Sequence, residues 1–397
     1  MKDLALESWG DVELLLGAAG NGPTELDAVV RRIGIERVVE IVIRELNARW
    51  ESSSLDTDVC IRLELNHGAI HSSRVLAVSG RGLELLQDES ILAVACVRLH
   101  LLDLLENLYG TCEGRKLTSL EIDWLESGKD AVRALAEEDE LKAFKEWERI
   151  GLAVASFLAT CQTLPIDLDR AAMEYSSDKS ICTPWLTRHY DEHFRRIRNQ
   201  AVRMLEIGIG GYHRDDVGGD SLRTWQRYFR RGLICGLDIT EKPADFGPRV
   251  RALQGDQNDP EFLDELGRTA GPFDVIVDDG SHINEHVLTS FRYLFPHVRA
   301  GGFYVIEDLQ TSYWPSYGGS KGGSSSTTIE MLKSIIDGLH NEVIPSHDQD
   351  SFSREYQNVG GVHIYSTMAI IEKTYGVERP IGPFLSVESE AERVDGV

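Results

Sequence analysis

Two short stretches of this 397-residue chain combine acids with a histidine at spacings that suit metal-assisted proton removal: Asp278-Asp279-Gly280-Ser281-His282 and Glu307-Asp308. Each closes an apolar run, FDVIV in the first case and GGFYVI in the second, so both groups of carboxylates sit at strand ends. Carboxylates at two neighbouring strand ends can converge on one hard cation. An all-oxygen set suits Mg²⁺, which takes near-octahedral coordination and keeps water-filled positions. The expected ligands are Asp279, Glu307 and Asp308. Adjacent residues of an extended strand point oppositely, so Asp278 is expected to turn toward backbone or a neighbouring side chain. His282 can accept a proton, because an imidazole titrating near pH ~6.5 is largely neutral at physiological pH. His286 lies one helical turn beyond it, but the glutamate of a zinc motif is missing from the intervening position.

Upstream, Glu206-Ile207-Gly208-Ile209-Gly210-Gly211-Tyr212 begins at a strand end, where glycines let a ligand approach the backbone. A pyrophosphate is disfavoured because His213 occupies the third glycine position of the usual dinucleotide fingerprint. Gly236-Leu237-Asp238 ends the next strand, and a carboxylate there suits both ribose hydroxyls of an adenosine while repelling a 2′-phosphate. The interval between the two motifs is long, which an extra loop from Asp215 to Asp220 accommodates. Asp256 follows the next short strand and either meets the adenine amine or is a solvated loop acid.

Taken together and in order, these motifs resemble the S-adenosylmethionine- and metal-dependent O-methyltransferases that finish the deoxysugars of macrolide antibiotics. The likeness is to the mycinamicin and tylosin types and to the spinosyn rhamnose enzymes. It covers residues 170–397, including Ser177-Asp178-Lys179 and the segment from Thr183 to Tyr190. The N-terminal part is similar to the mycinamicin-type auxiliary domain in size and character only. The resemblance implies a methyl donor lying across the strand ends, bound by Ser177, Lys179, Glu206, Gly208, Gly210, Tyr212, Asp238, Asp256, Gln257 and Asp278. It implies Mg²⁺ on Asp279, Glu307 and Asp308, with His282 as general base for the 2- or 3-hydroxyl of a rhamnose or 6-deoxyallose-like sugar on a macrolide. It further implies a homo-oligomer, tetramer or dimer, whose N-terminal domains pack subunits and close active sites. A noncatalytic adenosine-cofactor binding module would need no metal. A dehydrogenase is disfavoured by the glycine spacing and by the lack of a Tyr-x-x-x-Lys relay.

The elements that must position these residues alternate. Strands are expected at 203–207, 233–237, 249–253, 273–277 and 302–306, helices near 221–230, 260–268, 285–295 and 326–340, and a final strand near 362–371. That order predicts an α/β fold: a doubly wound, Rossmann-like class I methyltransferase domain over 166–397. Residues 1–165 read as a mainly helical auxiliary domain with a small β element. Its helices are expected from Val12 to Trp50, with Asn21 or Thr24 as a cap, and again at 82–109, 121–136 and 138–161, around a hairpin at His67-Gly68-Ala69. A connector runs from Pro165 to Pro184. The glycine- and serine-rich stretch from Tyr313 to Thr328 reads as a lid whose Tyr313, Trp314 and Tyr317 cover an apolar acceptor, with Trp185 as a further pocket aromatic.

Acids outnumber Lys and Arg by 65 to 41, and the resulting charge of −24 argues against nonspecific attraction to nucleic acid or an anionic membrane. Six scattered cysteines without a CxxC pair argue against a disulfide framework or thiolate zinc site. With no basic leader and no apolar run near 18 residues, a soluble cytoplasmic protein is expected.

Overall fold

Three helices, Gly10–Asn21, Pro23–Ile33 and Ile35–Ala48, open a computed structural model that describes residues 9–51, 54–88, 90–111, 116–162, 166–181, 186–211, 218–320, 326–339 and 358–375. Within the helical stretch expected from Val12 to Trp50, Gly34, at φ 93°, separates the second helix from the third. Neither Asn21 nor Thr24 is a cap. Gly22 takes that position and Pro23 the first turn, where an N–H would have no helical partner anyway.

A five-stranded sheet follows, β1 (Val59–His67), β2 (Ile70–Val78), β3 (Leu83–Leu86), β4 (Ala95–His100) and β5 (Glu121–Trp124), in the order β3-β2-β1-β4-β5. The expected hairpin forms, with His67 opposite Ile70. The helices expected over 82–109 and 121–136 are corrected here: helix begins only at Leu101–Tyr109 and Glu126–Glu138, with β3 and β4 ahead of the first and β5 ahead of the second. β4 pairs in parallel with β1, Leu65 beside Leu99, and this partner from across the chain outweighs a leucine pattern compatible with either period. The long helix Glu140–Cys161 completes this half, capped by Asp139, whose carboxylate accepts from Leu141 N and Lys142 N.

Short helices Leu168–Glu174 and Asp178–Ile181 occupy the described part of the expected connector, and a helix Leu186–Phe194 beyond it leads into the second sheet. Its strands are β6 (Arg203–Ile207), β7 (Leu233–Asp238), β8 (Val250–Gln254), β9 (Phe273–Asp278), β10 (Val298–Ile306), β11 (Val359–Ile364) and β12 (Ala369–Lys373). They lie in the order β11-β12-β10-β9-β6-β7-β8. The first five are parallel, while β12 pairs antiparallel with both β10 and β11. The single last strand expected is therefore a hairpin, closed where Tyr365 N donates to Met368 O.

Both faces of the parallel strands are buried, which is why their sequences do not alternate. Met204, Val275, Val277 and Val305 pack on one side with Tyr190, Phe194 and Trp225. Leu205, Ile207, Ile276 and Ile306 belong on the other side to a single hydrophobic cluster that also holds Leu15, Val42, Leu63 and Leu99 from the first half. Fully buried charges reinforce that junction. Glu45 accepts from Arg49 at 2.6 Å and from Arg249 at 2.9 Å, while Arg231 donates to the Leu16 and Tyr109 carbonyls. From β6 the chain moves outward one way to β7 and β8, then returns to place β9 on the other side. The carboxyl ends of β6 and β9 thus flank a topological switch point, where open α/β sheets hold ligands.

Candidate active site

At the switch point the loops leaving β6 and β9 touch. Asp279 N donates to Ile207 O at 2.9 Å, and Gly208 N donates to Leu237 O at 2.8 Å. A Cβ on Gly208, whose φ is 83°, would lie 2.1 Å from the Asp279 carbonyl oxygen, so this approach requires glycine. Above these loops opens a cleft of about 590 Å³, the size of small-molecule sites. Gly208, Gly210, Asp238, Asp256, Gln257 and Asp279 line it, as do Ser176, Asp178, Thr240, Lys242, Ser281 and His286, none of which entered the expected binding set. Asp238 Oδ1 accepts from the backbone and hydroxyl of Thr240 at 2.9 and 2.8 Å, and its Oδ2 accepts from Ile209 N at 3.2 Å. Gln257 ties two loops together, accepting from Ser281 N at 2.7 Å and donating to Asp278 at 3.1 Å. Asp256 stands on the rim, and Ser281 and His286 meet at 2.9 Å. Tyr212 and Trp185 lie outside the described residues.

Other expected cofactor residues sit behind the cleft floor. Ser177 is buried, its carbonyl accepting from Ser180. Glu206 is fully buried and accepts from Ser221 at 2.7 Å and Trp225 Nε1 at 2.9 Å. Asp278 turns inward to Ser290 and Gln257, as its strand position predicted. Burial pushes the carboxyls of Glu206 and Asp278 upward.

Lys179 is also buried. Its ammonium donates to Asp279 Oδ2 at 2.8 Å and to Glu307 Oε1 at 2.6 Å, and lies 3.6 Å from Glu206. The Tyr190 hydroxyl donates to the same Glu307 oxygen. Burial works against the ammonium, but Asp279 and Glu307 outweigh it and hold its pKa well above the ordinary lysine value. Asp279 is pushed well up in turn, first by burial and then by the neighbouring Glu307.

On the outer side of Asp279, the ligand atoms of Asp279, His282 and Asp308 all lie within 4.8 Å of one another. His282 Nε2 is 3.3 Å from Asp308 Oδ2 and 4.0 Å from Asp279 Oδ1. Both His282 and Asp308 have left-handed backbone, φ 57° and 53°. For residues with a Cβ this conformation is uncommon, and it gathers at functional sites. Two carboxylate oxygens beside a histidine nitrogen form a donor set that fits a divalent cation. Glu307, expected as the third oxygen ligand, has one oxygen, Oε1, engaged by Lys179 and Tyr190.

The expected lid begins as two short 3-10 turns, Leu309–Tyr313 and Pro315–Tyr317. Tyr313 and Trp314 are about half exposed, and the Trp314 and Tyr317 rings approach to 5.8 Å. Residues 321–325 lie outside the described set. Buried Asn284, two residues beyond His282, binds both ends of the stretch. Its amide donates to the Thr311 and Tyr317 carbonyls at 3.3 and 2.9 Å, and its oxygen accepts from Thr328 N at 2.7 Å and the Thr328 hydroxyl at 3.0 Å.

Residues 12–120 match the family model described as MycE methyltransferase N-terminal. The chain is 37% identical over 392 residues to demethylmacrocin O-methyltransferase of Streptomyces fradiae, covering 96% of this chain and 95% of the relative. Over 373 residues it is 37% identical to the 8-demethyl-8-(2-methoxy-alpha-L-rhamnosyl)-tetracenomycin-C 3'-O-methyltransferase of Streptomyces olivaceus, covering 93% and 94%. The solved MycE methyltransferase from the mycinamycin biosynthetic pathway, in complex with Mg, SAH and mycinamycin VI, superposes with a TM-score of 0.80 at 35% identity, covering 96% of this chain and 98% of that one. With its sequence and fold matched along nearly its whole length, the chain belongs to the family of MycE and related macrolide-type sugar O-methyltransferases.

Proposed function

We propose that this enzyme transfers a methyl group from S-adenosylmethionine, with Mg²⁺, to the 2- or 3-hydroxyl of a rhamnose or 6-deoxyallose-like sugar carried by a macrolide. The observation that carries the reading is the meeting of Asp279, His282 and Asp308 beside the cleft at the β6–β9 switch point. Gly208, Gly210, Tyr212, Asp238, Asp256 and Gln257 hold the donor in this reading, while Ser177, Lys179, Glu206 and Asp278 fix the floor beneath it. Asp279, Glu307 and Asp308 hold the cation. When bound, the donor supplies a sulfonium methyl and the cation supplies the Lewis acidity that makes a sugar hydroxyl acidic enough to ionise near neutral pH.

His282 takes the hydroxyl proton at Nε2. Asp308, 3.3 Å away, stabilises the imidazolium that results. The pocket then has to align the acceptor oxygen with the methyl carbon, which is a matter of positioning and needs no covalent intermediate with the protein. Tyr313, Trp314 and Tyr317, with Trp185, cover the apolar aglycone. Residues 1–165 act as an auxiliary domain that packs a tetramer or dimer and helps to close the site, and the cytoplasm is the expected compartment. Among the described residues no helix is long and apolar enough to cross a membrane. The match to the tetracenomycin-C enzyme favours a second reading, in which the sugar is carried by a different aglycone.

The test is labelled methyl transfer from S-adenosylmethionine to a panel of macrolide and other polyketide glycosides, with and without chelator. Chelation is expected to abolish transfer and Mg²⁺ to restore it, with the methyl found by NMR on one of two adjacent hydroxyls. Full turnover after exhaustive metal removal, or methylation of a carboxylate, would reject the mechanism.

A further inference from the structure

Lys179 divides the oxygens of the carboxylates it touches. It takes Oδ2 of Asp279 at 2.8 Å, leaving Oδ1 as the oxygen on the His282 and Asp308 side. It takes Oε1 of Glu307 at 2.6 Å, and Tyr190 donates to that same atom, so both donors converge on one oxygen and the other is left over. The side chain cannot readily swing away, because it is 2% exposed and Glu206 stands 3.6 Å behind it. A cation beside Asp279 and Glu307 therefore meets two carboxylates that each have one oxygen to give.

That restriction bears on which cation is accepted. Ca²⁺ takes six to eight oxygens and commonly uses both oxygens of a carboxylate, whereas Mg²⁺ needs near-ideal octahedral geometry, single oxygens and retained waters. We propose that Lys179 is a specificity-determining positioning residue: by occupying Asp279 Oδ2 and Glu307 Oε1 it enforces single-oxygen ligation and so selects Mg²⁺ over Ca²⁺. The inference rests on the reading of Asp279 and Asp308 as cation ligands, and it adds a role for an ammonium that does not itself touch the metal. It also accounts for a lysine buried among three carboxylates, Glu206, Asp279 and Glu307, at a place where a purely structural core would dispense with all four charges.

The experiment uses the full chain without donor. Bound Mn²⁺ is counted by electron paramagnetic resonance, and Mg²⁺ and Ca²⁺ are each titrated in to displace it. In the wild-type protein Mg²⁺ should displace Mn²⁺ at lower concentration than Ca²⁺ does. Lys179→Gln should move the ratio of the two midpoints at least tenfold toward Ca²⁺, and Lys179→Arg, which keeps a cationic donor on the carboxylates, should retain the wild-type order. A purely structural lysine would alter both affinities together and leave their ratio unchanged. A ratio within twofold of wild type in folded Lys179→Gln overturns the proposal. Should that variant fail to fold by circular dichroism, the wild-type titration decides, since a preference for Ca²⁺ there overturns it equally. Asp308→Asn separates the two claims: undiminished Mn²⁺ binding in that variant shows that the cation lies elsewhere and removes the underlying site reading as well.

Discussion

His282 and Asp308 both hold left-handed backbone, and their side chains meet at 3.3 Å. Two uncommon conformations that converge on one contact indicate that the fold is built to make it. Replacing His282 by alanine leaves the cleft-lining residues intact, so donor binding by calorimetry should be preserved. The single-turnover methylation rate should fall roughly 10²–10⁴-fold, the usual scale for loss of a general base. A wild-type rate in that variant would remove His282 from the chemistry. Much of this residue set was readable in the chain, because Asp279, His282, Glu307 and Asp308 end apolar runs and local order alone brings each to a strand terminus. Lys179, which the resemblance ties to the cofactor, meets acids that lie 100 and 128 residues away. Which of a strand's acids a distant ammonium will meet is a property of packing, and no local spacing records it.

Among the elements, the stretch between β10 and the helix Thr328–Gly338 depends on Asn284. One buried amide satisfies the Thr311 and Tyr317 carbonyls and the Thr328 N–H and hydroxyl. Asn284→Leu removes all four bonds; Trp314 N still serves the Thr311 carbonyl, but the other three groups lose this partner, at about 1–3 kcal/mol each. The expected result by urea denaturation is a loss of several such increments, together with a KM for the acceptor that rises more than the KM for the donor. An unchanged acceptor KM would show that the Asn284 anchor has no bearing on the sugar. The strands of the second sheet were legible for a simple reason: VIV and YVI runs, buried on both faces, admit few other structures. β3 and β4 were not, since LELL and ACVRLH satisfy a helical and an extended pattern alike. Their partners in β1 and β2, fixed only by tertiary pairing, decide between them.

At the scale of the whole molecule, Glu45 joins the two halves through Arg49 and Arg249. Burial alone would raise its carboxyl, but Arg249 and Arg49 outweigh burial and hold it below the ordinary value of 4.5. A depressed folded-state pKa contributes stability that is complete above the unfolded value and is lost as pH falls through the folded one. The junction should therefore hold at neutral pH and weaken below pH 4.5, which urea midpoints measured across that range would reveal. Glu45→Ala strands two buried guanidinium groups and should cost about 3–5 kcal/mol at pH 7. A midpoint shift equivalent to less than 1 kcal/mol would show that the pair is solvated instead.

The hydrophobic cluster that runs from Leu15 and Leu63 to Leu205 and Ile306 has a consequence for how such enzymes can diversify. Two topologies share one interior, so calorimetry should record a single unfolding transition, and two resolved transitions would contradict this. Exchange of the first half between relatives is then a transplant across a packed core, where each mismatched methylene is felt. New acceptor preferences should be inherited more readily through changes of length between Tyr317 and Thr328. There loop-closure entropy grows by only about 0.6 kcal/mol for each doubling of length, and both ends are already moored to Asn284.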